Sequence, residues 1–491
     1  MTYLGSLLVR LLSIVTIILG SFVVGVTDAD GPAHPKVPTK SIAGAWQGAL
    51  KVGDVSIRLV VNLAEKAPGA WTGTFDAPDS GRKGVPIDEV TIKDDSLGLK
   101  LKSVPASFVG KLNKEWSEAK GTWKQGGQSF NVTFQRRAKT EEIRLKRPQE
   151  PKKPYPYSEE EVVFDNKTDA VQLAGTLTLP KGGGPFPAVV LITGSGPQDR
   201  DETLFGHRPF FVLADYLTRR GIAVLRVDDR GVGKSTGDFN KATVEDFAKD
   251  TFAGLEYLKS RKEIDGKRIG LIGHSEGATV ASLLASRSTE VAFIVLMAGP
   301  GLKGDELWYS QTALMLKAAG ASAQQVKKYR QVQKQLVAII QGEKNDKTAE
   351  KELRRVLDTH FASLSGEEKK AVGDFGALAE AQVKTMISPA FRFNLAYDPK
   401  PTLMKVRCPV LALNGEKDIV VACAENLSAI EAALVSGGNQ RPAVKAIPKL
   451  NHFFQTCETG SFGECAKIEE TLAPLALDLI GDWIVKHTNG K

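Results

Sequence analysis

The sequence is poor in the residues on which metal, redox and nucleic-acid chemistry depend. It holds 4 cysteines and 6 histidines among 491 residues. Neither a C-x-x-C pair nor a His/Cys cluster is present, so we expect no metal site. The formal charge is +8, but Lys and Arg are interspersed with Asp and Glu and form no basic block. We therefore expect no nucleic-acid partner.

A complete phosphate-binding loop is also missing. The segment from Gly231 to Ser235 reads Gly-Val-Gly-Lys-Ser and resembles the end of such a loop, but Asp228 stands where the pattern requires its first glycine. We interpret the segment as structural and expect the chain to require no cofactor.

Residues 1–29 are typical of a secretory signal peptide. Arg10 precedes an apolar run from Leu11 to Val26, and Ala29 offers a small residue for cleavage before Asp30. The run is short for a membrane span and lacks a basic stop-transfer flank. We expect a cleaved signal, a secreted or periplasmic protein and no stable membrane insertion afterwards. An uncleaved N-terminal anchor is the alternative.

All the cysteines lie near the carboxyl end of the sequence, at Cys408, Cys423, Cys457 and Cys465. An oxidising compartment would allow two disulfides in three possible pairings. We favour Cys408 with Cys423 and Cys457 with Cys465, because each bridge would join neighbours along the chain. Free thiols are the alternative.

Residues 41–136 predict a separate small β domain. Short alternating runs such as Val55–Val61 recur there between Gly, Asp and Pro turns, which favours an antiparallel barrel or sandwich. Four of the tryptophans fall in this region: Trp46, Trp71, Trp116 and Trp123. Aromatic residues of small β domains are more often core than binding platform, so we expect them in the core. Residues 137–159 are charged and proline-rich and predict a stiff linker.

Residues 160–491 alternate strand and helix patterns, which predicts a mostly parallel sheet with helices on both faces. Residues 303–398 interrupt this alternation with apolar residues at helical spacing only. An insertion there would lie over the carboxyl ends of the strands, so we expect a helical cap that shapes a pocket. A helical module packed only on itself is the alternative.

The segment from Gly273 to Gly277 reads Gly-His-Ser-Glu-Gly, between the apolar run Arg268–Ile272 and a helical pattern over 278–284. A strand, a sharp turn and a helix with serine at the apex are the signature of a nucleophile elbow. The small residues on either side let the chain close, and the serine hydroxyl becomes accessible to a substrate. The sequence therefore predicts Ser275 as a catalytic nucleophile.

A serine nucleophile needs a histidine base, and in this arrangement the base follows the serine in the chain. His360 lies in a charged helical stretch and His487 in the terminal helix, and we expect both at the surface. His452 follows a short strand and begins a loop near the carboxyl end. We therefore predict His452 as the base.

The carboxylate that orients the base is expected after the strand Cys408–Gly415. Asp418 and Glu416 are the two candidates.

Backbone donors for the oxyanion are expected at the elbow and in the glycine-containing loop after the strand Pro187–Ile192. We predict the N–H groups of Ser195 and Glu276, with Gly196 as the alternative to Ser195.

Several segments together resemble bacterial α/β-hydrolases of the carboxylesterase and serine aminopeptidase (S33)-like group. The matching segments are 227–233, the elbow, 413–418 and 450–455. In such hydrolases the acid precedes an apolar pair, which favours Asp418 over Glu416. Thr193-Gly194 stands where the group usually has His-Gly.

The resemblance implies an α/β-hydrolase fold and a serine hydrolase, which we expect to be a carboxylesterase acting on a small-molecule ester. A serine peptidase with the same triad is the first alternative. A binding protein that acts through its β domain is the second, which a complete triad argues against. The sequence gives no prediction of oligomeric state or acyl length.

Overall fold

A computed structural model of the protein describes residues 41–52, 55–80, 82–102, 106–125, 128–137, 146–366, 368–369, 375–440 and 442–488. The predicted signal peptide lies outside the described residues. No helix within these ranges is both apolar enough and long enough to cross a bilayer.

The first described part of the chain forms one antiparallel sheet of nine strands. They are β1 (Gly44–Val52), β2 (Val55–Ala67), β3 (Ala70–Ala77), β4 (Arg82–Pro86), β5 (Glu89–Lys93), β6 (Ser96–Leu101), β7 (Ala106–Leu112), β8 (Glu118–Gln125) and β9 (Gln128–Arg137). Their spatial order is β4-β3-β2-β1-β9-β8-β7-β6-β5, and each neighbouring pair is antiparallel. The predicted separate antiparallel β domain is confirmed.

Period-two patterning explains how this sheet buries one face. In β7, Phe108 is buried and its neighbour Val109 is 62% exposed, because successive strand side chains point to opposite faces. Trp46 and Trp123 are both buried, and the Trp123 ring stacks on Phe75 at 5.3 Å between centroids. These tryptophans therefore hold the domain together from inside.

The remainder of the described chain forms a second, mixed sheet of eight strands together with helices. It comprises β10 (Ser158–Asn166), β11 (Val171–Leu179), β12 (Phe186–Ile192), β13 (Ala223–Val227), β14 (Ile264–His274), β15 (Ile294–Met297), β16 (Val410–Gly415) and β17 (Ala443–Ile447). The order is β10-β11-β13-β12-β14-β15-β16-β17, with antiparallel pairing at β10, β11 and β13 and parallel pairing from β13 onward.

Helices cover both faces of this sheet. They are α1 (Pro209–Arg219), α2 (Val244–Lys259), α3 (Glu276–Ala285), α4 (Gly304–Ala318), α5 (Ala323–Gly342), α6 (Asp346–Ala362), α7 (Phe375–Ile387), α8 (Pro389–Ala396), α9 (Pro399–Leu403), α10 (Cys423–Ser436), α11 (Phe462–Cys465) and α12 (Pro474–Thr488). Residues of α2, α3 and α10 pack with Val190 on one face, whereas α1 and α12 pack with Val189 and Leu191 on the other. This is the predicted α/β-hydrolase architecture.

The strand register brings the ends of the parallel strands to one level. Ile192 pairs with Gly273, and Met297 pairs with both His274 and Leu413. The loops that follow these strands therefore open at the same edge of the sheet, where α/β proteins place their sites.

Helices α4 to α8 lie between β15 and β16 and share an apolar core of their own. Leu336, Leu353 and Val383 are among its buried members, and Trp308 packs against Phe391 at 5.4 Å between ring centroids. The insertion thus packs on itself to a large extent. It also contacts the predicted site through α8, as described below.

The segment that joins the domains is fastened to the second one. The Arg147 guanidinium donates hydrogen bonds to the carbonyl oxygens of Phe205 (2.7 Å), Gly206 (3.2 Å) and Ile468 (3.0 Å). In addition, Ile57 of β2 packs against the buried pair Phe205 and Cys465, as does Phe453, which follows His452. The β domain therefore lies against the loops of the second sheet.

The preferred disulfide pairings are corrected by the structure, in which all four cysteines are free. The Cys423 thiol donates to the Asn414 carbonyl at 3.6 Å, and the Cys465 sulfur accepts from Asn451 Nδ2 at 3.2 Å. These contacts take the place of the expected bridges. Burial raises the pKa of Cys408 to about 12 and that of Cys423 to about 11, which keeps these thiols protonated.

Candidate active site

Ser275 lies between β14 and α3 in a backbone conformation that serine rarely adopts. Its φ is 53° and its ψ is −118°, so the residue is strained. Its N–H donates to the Met297 carbonyl at 2.8 Å, which ties the turn to the neighbouring strand. The hydroxyl-bearing residue is half-buried at the end of the sheet.

The two glycines of the elbow are required by close backbone approach. A Cβ on Gly273 would lie 2.1 Å from the carbonyl oxygen of Gly277, and one on Gly277 would lie 2.3 Å from that of Ile192. Contacts under 3 Å are essentially never seen for real Cβ atoms. Only glycine therefore lets strand, turn and helix pack this tightly.

Asp418 and His452 are brought together in a buried hydrogen bond. The distance from His452 Nδ1 to Asp418 Oδ2 is 2.7 Å, and the two side chains are 7% and 0% exposed. The other carboxylate oxygen of Asp418 accepts from the N–H groups of Val420 (2.7 Å) and Val421 (2.8 Å). Three donors thus fix the carboxylate, which in turn fixes the imidazole.

The residues that the sequence analysis ranked lower are placed elsewhere. Glu416 is exposed, although it is only two residues from Asp418. His360 packs against the Tyr329 ring within the cap, and His487 bonds to the Trp483 carbonyl on α12. Within the described residues, neither histidine hydrogen-bonds to Asp418 or Ser275.

The loop after β12 lies directly beside the elbow. A Cβ on Gly194 would lie 3.3 Å from the Cβ of Ser275. The Thr193 hydroxyl donates to Asp229 Oδ1 at 2.7 Å, and the Gln198 N–H donates to the other carboxyl oxygen at 2.9 Å. Burial raises the pKa of Asp229 well above its usual range. Asp229 therefore anchors both ends of this loop.

The predicted oxyanion donors can be compared with their neighbour Gly194. The Gly194 N–H already donates to Glu202 Oε1 at 2.6 Å. Within the described part of the chain, the N–H groups of Ser195 and Glu276 donate to no other protein group, and Glu276 begins α3. Positive partial charge at this helix terminus favours an anion.

The Glu276 side chain connects the elbow to the cap. Its carboxylate accepts from Asn394 Nδ2 of α8 at 2.6 Å. Burial raises the pKa of Glu276, which the Asn394 hydrogen bond only partly offsets. Gly194, Asp229 and Glu276 also line a cavity of about 50 Å³. The cap therefore contacts the residue that directly follows Ser275.

Sequence reasoning missed Glu202, and it assigned no role to His274 beyond its place in the elbow. The two form a buried pair in which His274 Nδ1 is 2.9 Å from Glu202 Oε1. A histidine inside the elbow was a visible signal. Glu202 gave none, because it sits in the charged run Asp199–Glu202 without a flanking pattern.

No group of three or more His, Cys, Asp or Glu side chains in the described ranges is arranged to hold a metal ion.

Residues 169–433 match the family described as X-Pro dipeptidyl-peptidase (S15 family). This protein belongs to that family. The match runs from just before β11 to near the end of α10. It includes the elbow with Ser275, helices α4 to α9 and Asp418, but it ends before β17 and His452. The resemblance to the α/β-hydrolase superfamily is thereby confirmed.

Two curated proteins are similar to parts of this chain. Esterase EstD of Thermotoga maritima is 36% identical over 149 residues, which cover 30% of this chain and 35% of EstD. An uncharacterized protein from the traX-finO intergenic region of Escherichia coli is 25% identical over 254 residues, or 50% of this chain and 78% of that protein. The chain thus spans about a third of the EstD length.

Solved structures with a similar course of the chain include two hydrolases. The esterase Pf2001 of Pyrococcus furiosus has a TM-score of 0.41 at 18% identity, covering 68% of this chain and 92% of that one. The alpha/beta hydrolase GrgF from Penicillium sp. sh18 has a TM-score of 0.42 at 16% identity, with coverages of 68% and 100%.

The packing of the elbow makes Gly277→Ala a sharp test of its geometry. We expect the unfolding free energy to fall by about 1–3 kcal/mol or more, because the new methyl group would overlap backbone oxygens that cannot rotate away. Thermal unfolding measures this. Gly266→Ala in β14, the strand that leads into the turn, is the control, since its Cβ would come no closer than 3.5 Å to the Lys259 side chain. Equal stability of the two variants would contradict the tight turn.

Proposed function

We propose that this protein is an exported serine hydrolase that cleaves carboxylic esters, with Ser275, His452 and Asp418 as its triad. One observation carries the proposal. An enclosed carboxylate, fixed by three donors, holds the Nδ1 side of His452 at the edge of the sheet where Ser275 sits in its strained turn. This is the arrangement that turns a serine into a nucleophile.

The chemistry follows from the protonation state that Asp418 imposes. A carboxylate accepts from Nδ1–H, so neutral His452 carries its proton on Nδ1 and presents Nε2 as the acceptor. In the proposed reaction Nε2 takes the Ser275 proton as the oxygen attacks the ester carbonyl, and it returns that proton to the leaving alcohol. Water then attacks the acyl-enzyme by the same route. Asp418 stabilises the imidazolium that forms in each step.

We assign the oxyanion to the N–H groups of Ser195 and Glu276. Support comes from the neighbouring Gly194, whose N–H is occupied by Glu202, and from the position of Glu276 at the first turn of α3. Preorganised donors need no rearrangement when negative charge develops, which is why such groups stabilise the transition state strongly.

Peptide cleavage is the second candidate, and the family match favours it. The family is described as X-Pro dipeptidyl-peptidase, whereas the similar T. maritima protein is named an esterase. Both reactions use the same triad and the same acyl-enzyme. The choice therefore depends on the pocket that receives the substrate and not on Ser275.

Export is proposed from the first 29 residues. Arg10, the apolar run to Val26 and the small residue Ala29 support a cleaved signal. Sequencing the amino terminus of the protein recovered from the periplasm or medium tests this. A mature chain that retains residues 1–29 would contradict cleavage.

Turnover by Ser275→Ala tests the assignment as a serine hydrolase. We expect the rate on p-nitrophenyl acetate to fall roughly 10⁴-fold or more while the melting temperature is kept, because the half-buried hydroxyl contributes little packing. The measurement compares p-nitrophenyl esters of graded acyl length with Xaa-Pro p-nitroanilides. Faster turnover of the anilides by the wild-type protein would favour the peptidase, and substantial activity in Ser275→Ala would refute the nucleophile. Ligand binding by the β domain without any turnover would favour a binding protein.

Asp418→Asn and Glu416→Gln separate the two carboxylate candidates. We expect Asp418→Asn to lower kcat by about 10³–10⁴-fold with a smaller change in KM, because the amide no longer imposes the required tautomer on His452. Glu416→Gln makes the same chemical change two residues away on an exposed side chain, so it is the matched control. Steady-state kinetics of both variants test the assignment. A loss of kcat confined to Glu416→Gln would show that Glu416, and not Asp418, is the acid.

Replacing residues 303–398 by a short glycine-serine linker tests the cap. We expect KM for long or bulky esters to rise and acetyl esters to be least affected, because small acyl groups need little pocket wall. Asn394→Ala is the milder companion variant, since it removes only the contact with Glu276. An unchanged chain-length profile in a folded replacement variant would show that the helices play no part in specificity.

A further inference from the structure

Glu202 and His274 form an ion pair that is buried next to Ser275. Their side chains are 8% and 5% exposed, and no step of the reaction described above uses them. Burying two charged groups is costly unless both are paired and hydrogen-bonded. The position of such a pair, one residue before the nucleophile, calls for a role beyond packing.

Each member of the pair holds the backbone of a different loop. Glu202 Oε1 accepts from the N–H of Gly194 at 2.6 Å, in the loop after β12. His274 Nε2 lies 3.0 Å from the carbonyl oxygen of His452. The pair thus links the proposed oxyanion loop to the proposed base through three successive hydrogen bonds.

The partners of His274 define its charge state. Nδ1 faces a carboxylate oxygen and Nε2 faces a carbonyl oxygen, and both of these groups only accept. A neutral imidazole has one N–H, so it could satisfy only one of them. Both bonds are made when His274 is an imidazolium and Glu202 is a carboxylate.

The backbone at Glu202 is a second, independent observation. Its φ is 53°, in the left-handed region that residues with a side chain rarely adopt. Such strained conformations persist where the surroundings fix them, and they cluster at functional sites. The strained segment is the one that points a carboxylate at both Gly194 and His274.

We propose that Glu202 and His274 are positioning residues for the reaction at Ser275, a charged pair that sets the oxyanion loop and His452 at fixed places on either side of the nucleophile. This inference rests on the proposed serine-hydrolase function. The pair touches neither the ester nor the reacting atoms. It acts by preventing the two loops from moving apart, and misplacement on the scale of 1 Å costs about 10²-fold in rate.

The pair also predicts an alkaline limit to activity. Burial alone would lower the pKa of His274, but the Glu202 carboxylate, the His452 carbonyl and the Asp418 charge outweigh it, so the pKa is raised above its usual value. The His452 imidazole also faces His274, with 4.9 Å between the ring centroids, and the rings of Phe453 and Phe454 supply no titrating group.

The sign of the pH effect follows from this raised pKa. The pair stabilises the fold fully below the pKa of an unfolded histidine, about 6.5. This contribution is lost as the pH rises through the higher folded value, when His274 loses one N–H and releases one of the two loops.

The test measures the reactivity of Ser275 directly. Wild type, Glu202→Gln, His274→Gln and the double variant are labelled with a fluorophosphonate between about pH 6 and 10, and kcat, KM and melting temperature are recorded beside the labelling rate. Asp215→Asn is the control, because it makes a like carboxylate-to-amide change in a residue of α1 paired with Arg219 and Tyr157. It should leave labelling unchanged.

We expect Glu202→Gln to lower both the labelling rate and kcat by about 10- to 100-fold, with KM nearly unchanged. Its alkaline limit should move to lower pH, since the charge that holds the His274 proton is gone. The double variant should be no slower than His274→Gln, because the two residues act as one unit.

The outcomes separate the two proposals. Folded variants that lose melting temperature but keep the wild-type labelling rate and pH profile would overturn the positioning role. Wild-type protein that does not label would overturn the serine-hydrolase function instead. If both variants fail to fold, a wild-type labelling rate without any alkaline loss up to about pH 10 would overturn the positioning role.

Discussion

The close backbone approach at the elbow is the constraint on which the rest of the candidate site depends. Strand β14 runs into α3 with one residue at the turn, so Gly273 and Gly277 must pass each other and the end of β12 without side chains. That contact fixes where α3 begins and forces Ser275 into its left-handed conformation. It also places the loop after β12 against Ser275, because Gly277 lies close to the carbonyl oxygens of Ile192 and Thr193. The geometry of the site is in this sense a property of backbone packing.

Polar contacts between the loops add to this packing and position the side chains of the candidate site. Asp418 accepts hydrogen bonds from two backbone N–H groups in addition to its hydrogen bond with His452. Asp229 accepts hydrogen bonds from both ends of the loop after β12. These groups come from loops that follow four different strands. In these loops, hydrogen bonds to the carboxyl groups of Asp229 and Asp418 fix the backbone or a side chain. The site therefore combines a rigid sheet edge with loops that are cross-connected by hydrogen bonds.

Local sequence patterns predicted the fold well, because the conformational preference of each segment agrees with its place in the final structure. One conformation is favoured by each of three patterns: the glycine spacing of the elbow, the apolar runs of the buried strands, and the alternating runs of the β domain. Asp418 and His452 could be proposed because the order of residues along the chain is constrained in this fold. Their 2.7 Å contact could not, since it depends on how two loops pack across the sheet. Glu202 lies in a charged run that is indistinguishable from a solvated surface, and Asn394 meets Glu276 only through the packing of α8. The cysteines were misjudged for a similar reason, because nearness in sequence did not direct the Cys423 and Cys465 sulfurs toward their expected partners.

The contacts between the segment that joins the two domains and the second domain affect where the chain can be shortened without loss of packing. Phe205, three residues after Glu202, donates its N–H to the Asp79 carbonyl of the β domain and accepts at its own carbonyl from Arg147. Both backbone groups of this residue are thus completed by the part of the chain that precedes the second sheet. A shortened protein that begins at residue 160 would leave them to water and would remove the Ile57 side chain from the cluster around Phe205 and Cys465. The amino-terminal third is in that respect packed against the second domain rather than only tethered to it, and domain boundaries drawn for expression should respect this contact.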